Sequence, residues 1–173
     1  MAIKNHSWMG EPAVSVPVRR AVIADAEELA RIRQLSLTCP TEPWTTPRGL
    51  PDGPWTKDCR EAFAALLGDN DTFAAFVVDA APGRLAAGAV GLLLPRLPGP
   101  DSSKPFNGEI NAVATDPRFR RCGYGRAVVG ALMDWMVSRD CHRISLTSSS
   151  EGEPLYASLG FVEGDPRMIW QIR

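Results

Sequence analysis

Arg118, Arg120, Arg121 and Arg126 crowd four positive charges into nine residues, interleaved with Gly123 and Gly125, in a chain whose net charge is only −1. Arg120, Gly123 and Gly125 stand in an Arg-x-x-Gly-x-Gly arrangement. Placed where a helix begins, such a turn offers unpaired backbone N–H groups at the positive end of the helix dipole, and that is an anion site. A side chain at either glycine would strain the turn or hold an anion away from those donors. The chemistry this implies is the binding of a phosphate-bearing ligand by backbone donors from Cys122 to Gly125, with arginine charge around them. Many strand-to-helix turns carry Gly-x-Gly for structural reasons alone, so the turn needs a second element beside it.

The elements around the turn are those an anion site requires. Glu109–Thr115 reads as a strand, and after Gly123 the residues Val128, Leu132 and Trp135 or Met136 form one apolar stripe at helical spacing. Upstream, Val16–Ile23 reads as a first strand, and Asp25 as the N-cap of a helix to about Leu37 with Leu29 and Ile32 facing inward. Five prolines and two tryptophans, Trp44 and Trp55, break any period over 38–56. A second helix follows over about Lys57–Leu67. Thr72–Val78 and Leu85–Leu94 read as a strand pair turning at Pro82-Gly83, and a Pro/Gly loop covers 95–105. Ile144–Thr147 is a short strand, Glu151–Leu159 a short helix and Met168–Ile172 a last strand. The order is mixed α/β, with a central antiparallel part and one βαβ crossover.

About thirty residues beyond the turn stands Leu155-Tyr156-Ala157-Ser158-Leu159-Gly160-Phe161. In order and spacing, the two motifs together resemble the Gcn5-related N-acetyltransferase (GNAT) superfamily, which pairs an Arg/Gln-x-x-Gly-x-Gly/Ala loop with a short helix ending Tyr-x-x-x-Gly-Phe. The resemblance covers roughly residues 16–173 and leaves 1–15 as a tail. It implies a mostly antiparallel central sheet flanked by helices, splayed at the strand before the loop. It also implies acetyl-CoA as co-substrate, its pyrophosphate on Arg120, Arg121, Cys122, Gly123, Tyr124, Gly125 and Arg126. The ring of Tyr124 is read as packing.

Acyl transfer from a thioester to an amine needs a held thioester, a deprotonated amine, a polarised carbonyl and a proton for the departing thiolate. Glu109, eleven residues before Arg120, is the candidate base; an alkylammonium with a pKa of about 10 must lose a proton before it attacks. The other reading of Glu109 is a solvated strand-edge charge. Strict alternation puts Glu109, Asn111, Val113 and Thr115 on one face, opposite Ile110, Ala112 and Ala114. The resemblance implies that a backbone N–H near Val113 meets the thioester oxygen, with Thr115 on the cofactor side, and that Tyr156 protonates the sulfur. A tyrosine that merely packs under Leu159 and Phe161 is the alternative.

Two positions depart from the family's pattern. Seven residues before Tyr156 stands Ser149 in place of the usual Asn, and four before it stands Gly152 in place of Ala. Ser149 is a candidate contact for the pantetheine arm, or a helix cap; Ser150 with Glu153 also fits a capping box. On the acceptor side, Trp44 and Trp55 are candidates for a pocket wall that takes a small-molecule amine, or else plug the core.

Composition narrows the rest. With 173 residues, 45% hydrophobic and 23% charged, the chain has the length of one domain and enough apolar surface for a core. Near-neutral charge argues against a nucleic-acid surface. No apolar run approaches the roughly 18 residues of a membrane span, so no membrane is expected. The four cysteines form no Cys-x-x-Cys pair and only two histidines accompany them, so no metal site is expected; reduced thiols suggest a cytoplasmic protein. Gly-x-x-x-x-Gly-Lys and Gly-x-Ser-x-Gly are both missing, which removes a P-loop phosphotransferase and a serine hydrolase. A non-catalytic acyl-CoA sensor of the same fold is the alternative to the enzyme, and a homodimer is expected only because small members of this family are often dimers.

Overall fold

Apolar and β-branched runs at 73–81 and 84–95 build the centre of the molecule, joined by a two-residue turn in which Gly83 takes φ +70. The computed structural model describes residues 16–37, 53–68 and 71–164. Among them the strands are β1 (Arg19–Arg20), β2 (Phe73–Ala81), β3 (Arg84–Pro95), β4 (Phe106–Thr115) and β5 (Cys141–Leu146). They form one sheet in sequence order, antiparallel from β1 to β4 and parallel between β4 and β5. The helices are α1 (Ala26–Leu37), α2 (Pro54–Gly68), α3 (Tyr124–Ser138) and α4 (Glu153–Ser158). No helix of the described residues is long and apolar enough to cross a membrane.

Two apolar layers sandwich the sheet. On one face Leu29 and Ile32 of α1 and Phe63 of α2 pack with Val77, Leu85, Val90 and Ala112. On the other, Val128, Leu132, Trp135 and Met136 of α3 pack with Ala89, Leu93 and Ile110. Val128, Val129, Leu132 and Met136 are wholly buried, and full burial of each such side chain stabilises by roughly 1.5–3 kcal/mol. Gly91 and Gly108 cut a trough for α3, because a Cβ at either would collide with Met136. The apolar stripe therefore holds α3 in place, and the N-terminal turn is not required to.

Several expectations need correction. The first strand shrinks to two paired residues, because a 3-10 turn over Ile23–Asp25 interrupts it. Asp25 does not cap α1; its carboxylate turns back to accept from the Val22 N–H (2.8 Å) and to pair with Arg19 (2.7 Å). Helix α2 starts three residues early, at Pro54, since a proline at the first helical position gives up no hydrogen bond. The Ser150–Glu153 capping box does not form, and Gly152 is the residue before α4. Met168–Ile172 and the 1–15 tail lie outside the described residues.

The alternation read along β4 also changes. Val90 pairs with Ala112 but Gly91 pairs with Ile110, so Asn111 is an extra residue in β4, a β-bulge. One inserted residue reverses the phase of every side chain after it. Val113 and Thr115 thus share the α3 face with Ile110, while Glu109 shares the α1/α2 face with Ala112 and Ala114. Glu109 and Val113 lie on opposite faces.

Candidate active site

Strands β4 and β5 run together only as far as Ile110–Leu146. Beyond that pair β4 continues to Thr115 with β3 on one side and, among the described residues, no strand on the other. The expected splay is therefore present. A cleft of about 110 Å³ opens at the fork, lined by Glu109, Ile110, Asn111, Leu146 and Thr147. Val113, half-buried and paired with Ala89, lies on the unpartnered stretch.

At the far end of β4 the chain passes a 3-10 turn, Pro117–Phe119, and enters α3. Arg121 takes φ +64 and Gly123 φ +78, so two left-handed residues fold the loop back on itself. Gly123 precedes α3 and no side chain caps the helix. Among the described residues no side chain takes up the backbone N–H groups of Gly123–Gly125 at the start of α3, and these are left for a ligand or water. Arg120, Arg121, Cys122 and Gly123 are exposed. The two guanidinium groups make no hydrogen bond or ion pair with any described residue, and the Cys122 thiol leans on the Arg120 carbonyl at 3.5 Å. Nothing lies within 4 Å of where a Gly123 side chain would stand, so conformation alone demands that glycine. At Gly125 the demand is packing: an added Cβ would touch Thr115 Oγ1 at 3.4 Å and Leu155 at 3.6 Å. Thr115, Gly125 and α4 therefore meet at one point. Tyr124 is half-buried against the α3 core, as its packing role requires.

Two of the four arginines are used otherwise. Arg118 donates to Asp116 from Nε and Nη2, both at 3.1 Å. Asp116 is 3% exposed and also faces Arg31 at 3.0 Å and Arg84 at 3.3 Å. Hydrogen bonds from Arg118 chiefly, with the charge of Arg31 behind them, hold its carboxyl far below the usual carboxylate range despite burial. Arg126 donates to the Ser158 hydroxyl at 2.7 Å and to its carbonyl at 3.3 Å, which ties α3 to the end of α4.

On α4 the Tyr156 ring packs edge-on against Phe161, with centroids 5.8 Å apart, and rests on the α3 core. A Cβ at Gly152 would approach that ring at 3.1 Å and Ser149 Oγ at 3.3 Å. Glycine in place of alanine is thereby explained: the tyrosine ring fills the space. The Ser149 hydroxyl accepts from the Gly152 N–H at 3.1 Å, so it serves the turn into α4. Tyr156 packs with the α3-side core, whereas Glu109 lies on the α1/α2 face of the sheet. Trp55 is half-buried near the start of α2, and Trp44 lies outside the described residues.

A family model described as "Acetyltransferase (GNAT) family" matches residues 29–161. The chain belongs to the GNAT family. Over 54 residues it is 37% identical to a glucosamine 6-phosphate N-acetyltransferase of Trypanosoma brucei brucei, covering 31% of this chain and 37% of that protein. Over 68 residues it is 38% identical to the chloroplastic GCN5-related N-acetyltransferase 2 of Arabidopsis thaliana, covering 39% of this chain and 26% of that one. The matches thus span about a third or less of those relatives' own lengths. In fold, it is similar to a predicted acetyltransferase of Clostridium acetobutylicum solved with acetyl-CoA, with a TM-score of 0.72, 20% identity, and coverage of 90% of this chain and 95% of that one.

Sequence reading of this GNAT domain missed Asp116, although an acid ahead of Pro117 is a recognisable cap signal; its carboxylate does accept from the Arg118 N–H at 3.1 Å. It also missed Arg33 on α1, which donates to the Asn111 carbonyl at 2.8 Å across 78 residues of sequence. No local pattern marks that contact.

Proposed function

We propose that the protein moves an acetyl group from acetyl-CoA to the primary amine of a small molecule. The observation that carries this reading is the fork between β4 and β5 leading to the uncapped N-terminus of α3. The backbone donors of Gly123–Gly125 and the exposed Arg120 and Arg121 suit a pyrophosphate. The unpartnered edge of β4 leaves main-chain groups near Val113 for the thioester arm, and Thr115 stands beside Gly125. The small-molecule acceptor is favoured by the partial likeness to a glucosamine 6-phosphate N-acetyltransferase.

Acetyl-CoA supplies an activated thioester carbonyl. Glu109, on the α1/α2 face of the fork, takes the ammonium proton directly or through water, and the free amine forms the C–N bond. An N–H near Val113 polarises the carbonyl oxygen as the C–S bond breaks. Tyr156, from the α3 face, gives its phenolic proton to the thiolate. Two protons leave nitrogen: Glu109 takes the first before attack, and the second, shed as the amide forms, returns through water to the Tyr156 phenolate whose own proton has gone to sulfur, so the step releases one proton overall.

Incubation with acetyl-CoA and a panel of amines, read by mass spectrometry, tests the reaction. Tyr156→Phe and Glu109→Gln are each expected to lower kcat about 100-fold while KM for acetyl-CoA stays within about twofold. Full activity in both variants sinks the role assignments. Acetyl-CoA binding with no transfer to any amine points to a sensor instead.

A further inference from the structure

Two arginines on α1 sit in contrasting company. Arg31 pairs with Glu28 at 2.7 Å and Asp116 at 3.0 Å. Arg33, two residues on, is half-buried and makes no ion pair among the described residues. Its Nη1 donates to the carbonyl of Asn111, the bulge residue that has no partner in β3 or β5. That single bond leaves four of the five guanidinium N–H groups without a described partner. Removal from water lowers the Arg33 pKa, yet an arginine stays charged in proteins. The neighbouring Cys59 thiol of α2 is pushed up by burial and is neutral, so it offers no counter-charge.

Asn111 lines the same cleft as Glu109. Glu109 points to the α1/α2 face, and α1 carries Arg33. An uncompensated guanidinium is therefore bonded to a lining residue of the cleft, from the helix layer on the face that Glu109 shares. We propose that Arg33 is a specificity-determining residue and that the acceptor is zwitterionic, its ammonium directed to Glu109 and a carboxylate or phosphate held by Arg33. A planar guanidinium already anchored by one nitrogen can present the others to such an anion in parallel. An acceptor without the anion would leave a half-buried charge uncompensated, and that penalty is what sets the preference.

This inference rests on the acetyl transfer proposed above, and matched pairs of amines separate the two. β-Alanine against its amide tests a carboxylate, and glucosamine 6-phosphate against glucosamine tests a phosphate. With the wild-type protein, kcat/KM for one anionic partner is expected to exceed that for its neutral twin by about 10- to 100-fold. Arg33→Gln should raise KM for the anionic partner and narrow that gap to about twofold, and Arg33→Lys should restore part of it. Neutral amines acetylated as well as anionic ones overturn the inference and leave the transfer reading standing. Equal losses on both twins in Arg33→Gln also overturn it, because Arg33 would then serve only the bulge. Acetylation of no amine overturns both.

Discussion

Arg31, Arg84 and Arg118 converge on one buried carboxylate, whereas Arg120 and Arg121, only a few residues beyond, face solvent beside the first turn of α3. In the first group every charge is answered. Asp116 takes all three arginines, and Glu28 takes Arg31, Arg84 and the Leu85 N–H at 2.8 Å. The group ties α1 to the start of β3 and to the exit of β4. In the second group no described residue answers the charge, and a left-handed turn holds it next to open backbone donors. Residue type is the same in both places; what separates the two groups is whether a carboxylate has been buried within reach.

The sharpest way to break that comparison is to remove the carboxylate. Asp116→Ala leaves three arginines around a vacated buried site and should cost about 3 kcal/mol, lowering Tm by roughly 6–12 °C in a chain of this size. Its pH dependence carries a sign. Because the folded pKa of Asp116 is depressed, its stabilising effect is present above the ordinary unfolded value of about 4 and disappears as pH falls below it. The wild type should therefore lose stability more steeply below pH of about 4 than Asp116→Asn does, as followed by thermal melts across pH. Parallel curves would mean that the carboxylate is not what organises the cluster.

A smaller effect, in a different measurement, belongs to the loop. Arg120→Ala with Arg121→Ala should raise KM for acetyl-CoA at least about tenfold with Tm within about 1 °C of wild type. A large fall in Tm would place these arginines with the structural group and dissolve the contrast. The least effect is expected from Arg118→Ala. Its side chain is largely exposed, so solvent screens its pair and its loss should leave Tm nearly unchanged, with acetyl-CoA KM unchanged. A rise in that KM would move Arg118 from the first group to the second.

How much of this was legible depended on the range of the interactions. The α3 stripe was, since Val128, Leu132 and Met136 recur at helical spacing and all three are fully buried. So was the loop, because Gly123 sits where the backbone needs a positive φ that other residues resist. The turn at Pro82-Gly83 and the antiparallel pair around it followed from turn chemistry in the same way. The face of Glu109 was misread, since strict alternation assumes no bulge. The Asn111 bulge exists only in the register of β4 against β3, and no short window of sequence contains that register.

Charge was the other blind spot. Four arginines within nine residues looked like one anion site, but Arg118 belongs to Asp116 and Arg126 to Ser158. Arg31 reaches Asp116 across 85 residues, and Arg33 reaches Asn111 across 78. The amino-acid order by itself determined the helical stripe, the glycine turn and the order of strands, because backbone sterics and side-chain period act over a few residues. Only the tertiary structure decided which cations are neutralised, which face Glu109 presents and where β4 leaves β5, because pairing and register depend on segments that meet only after the chain has folded.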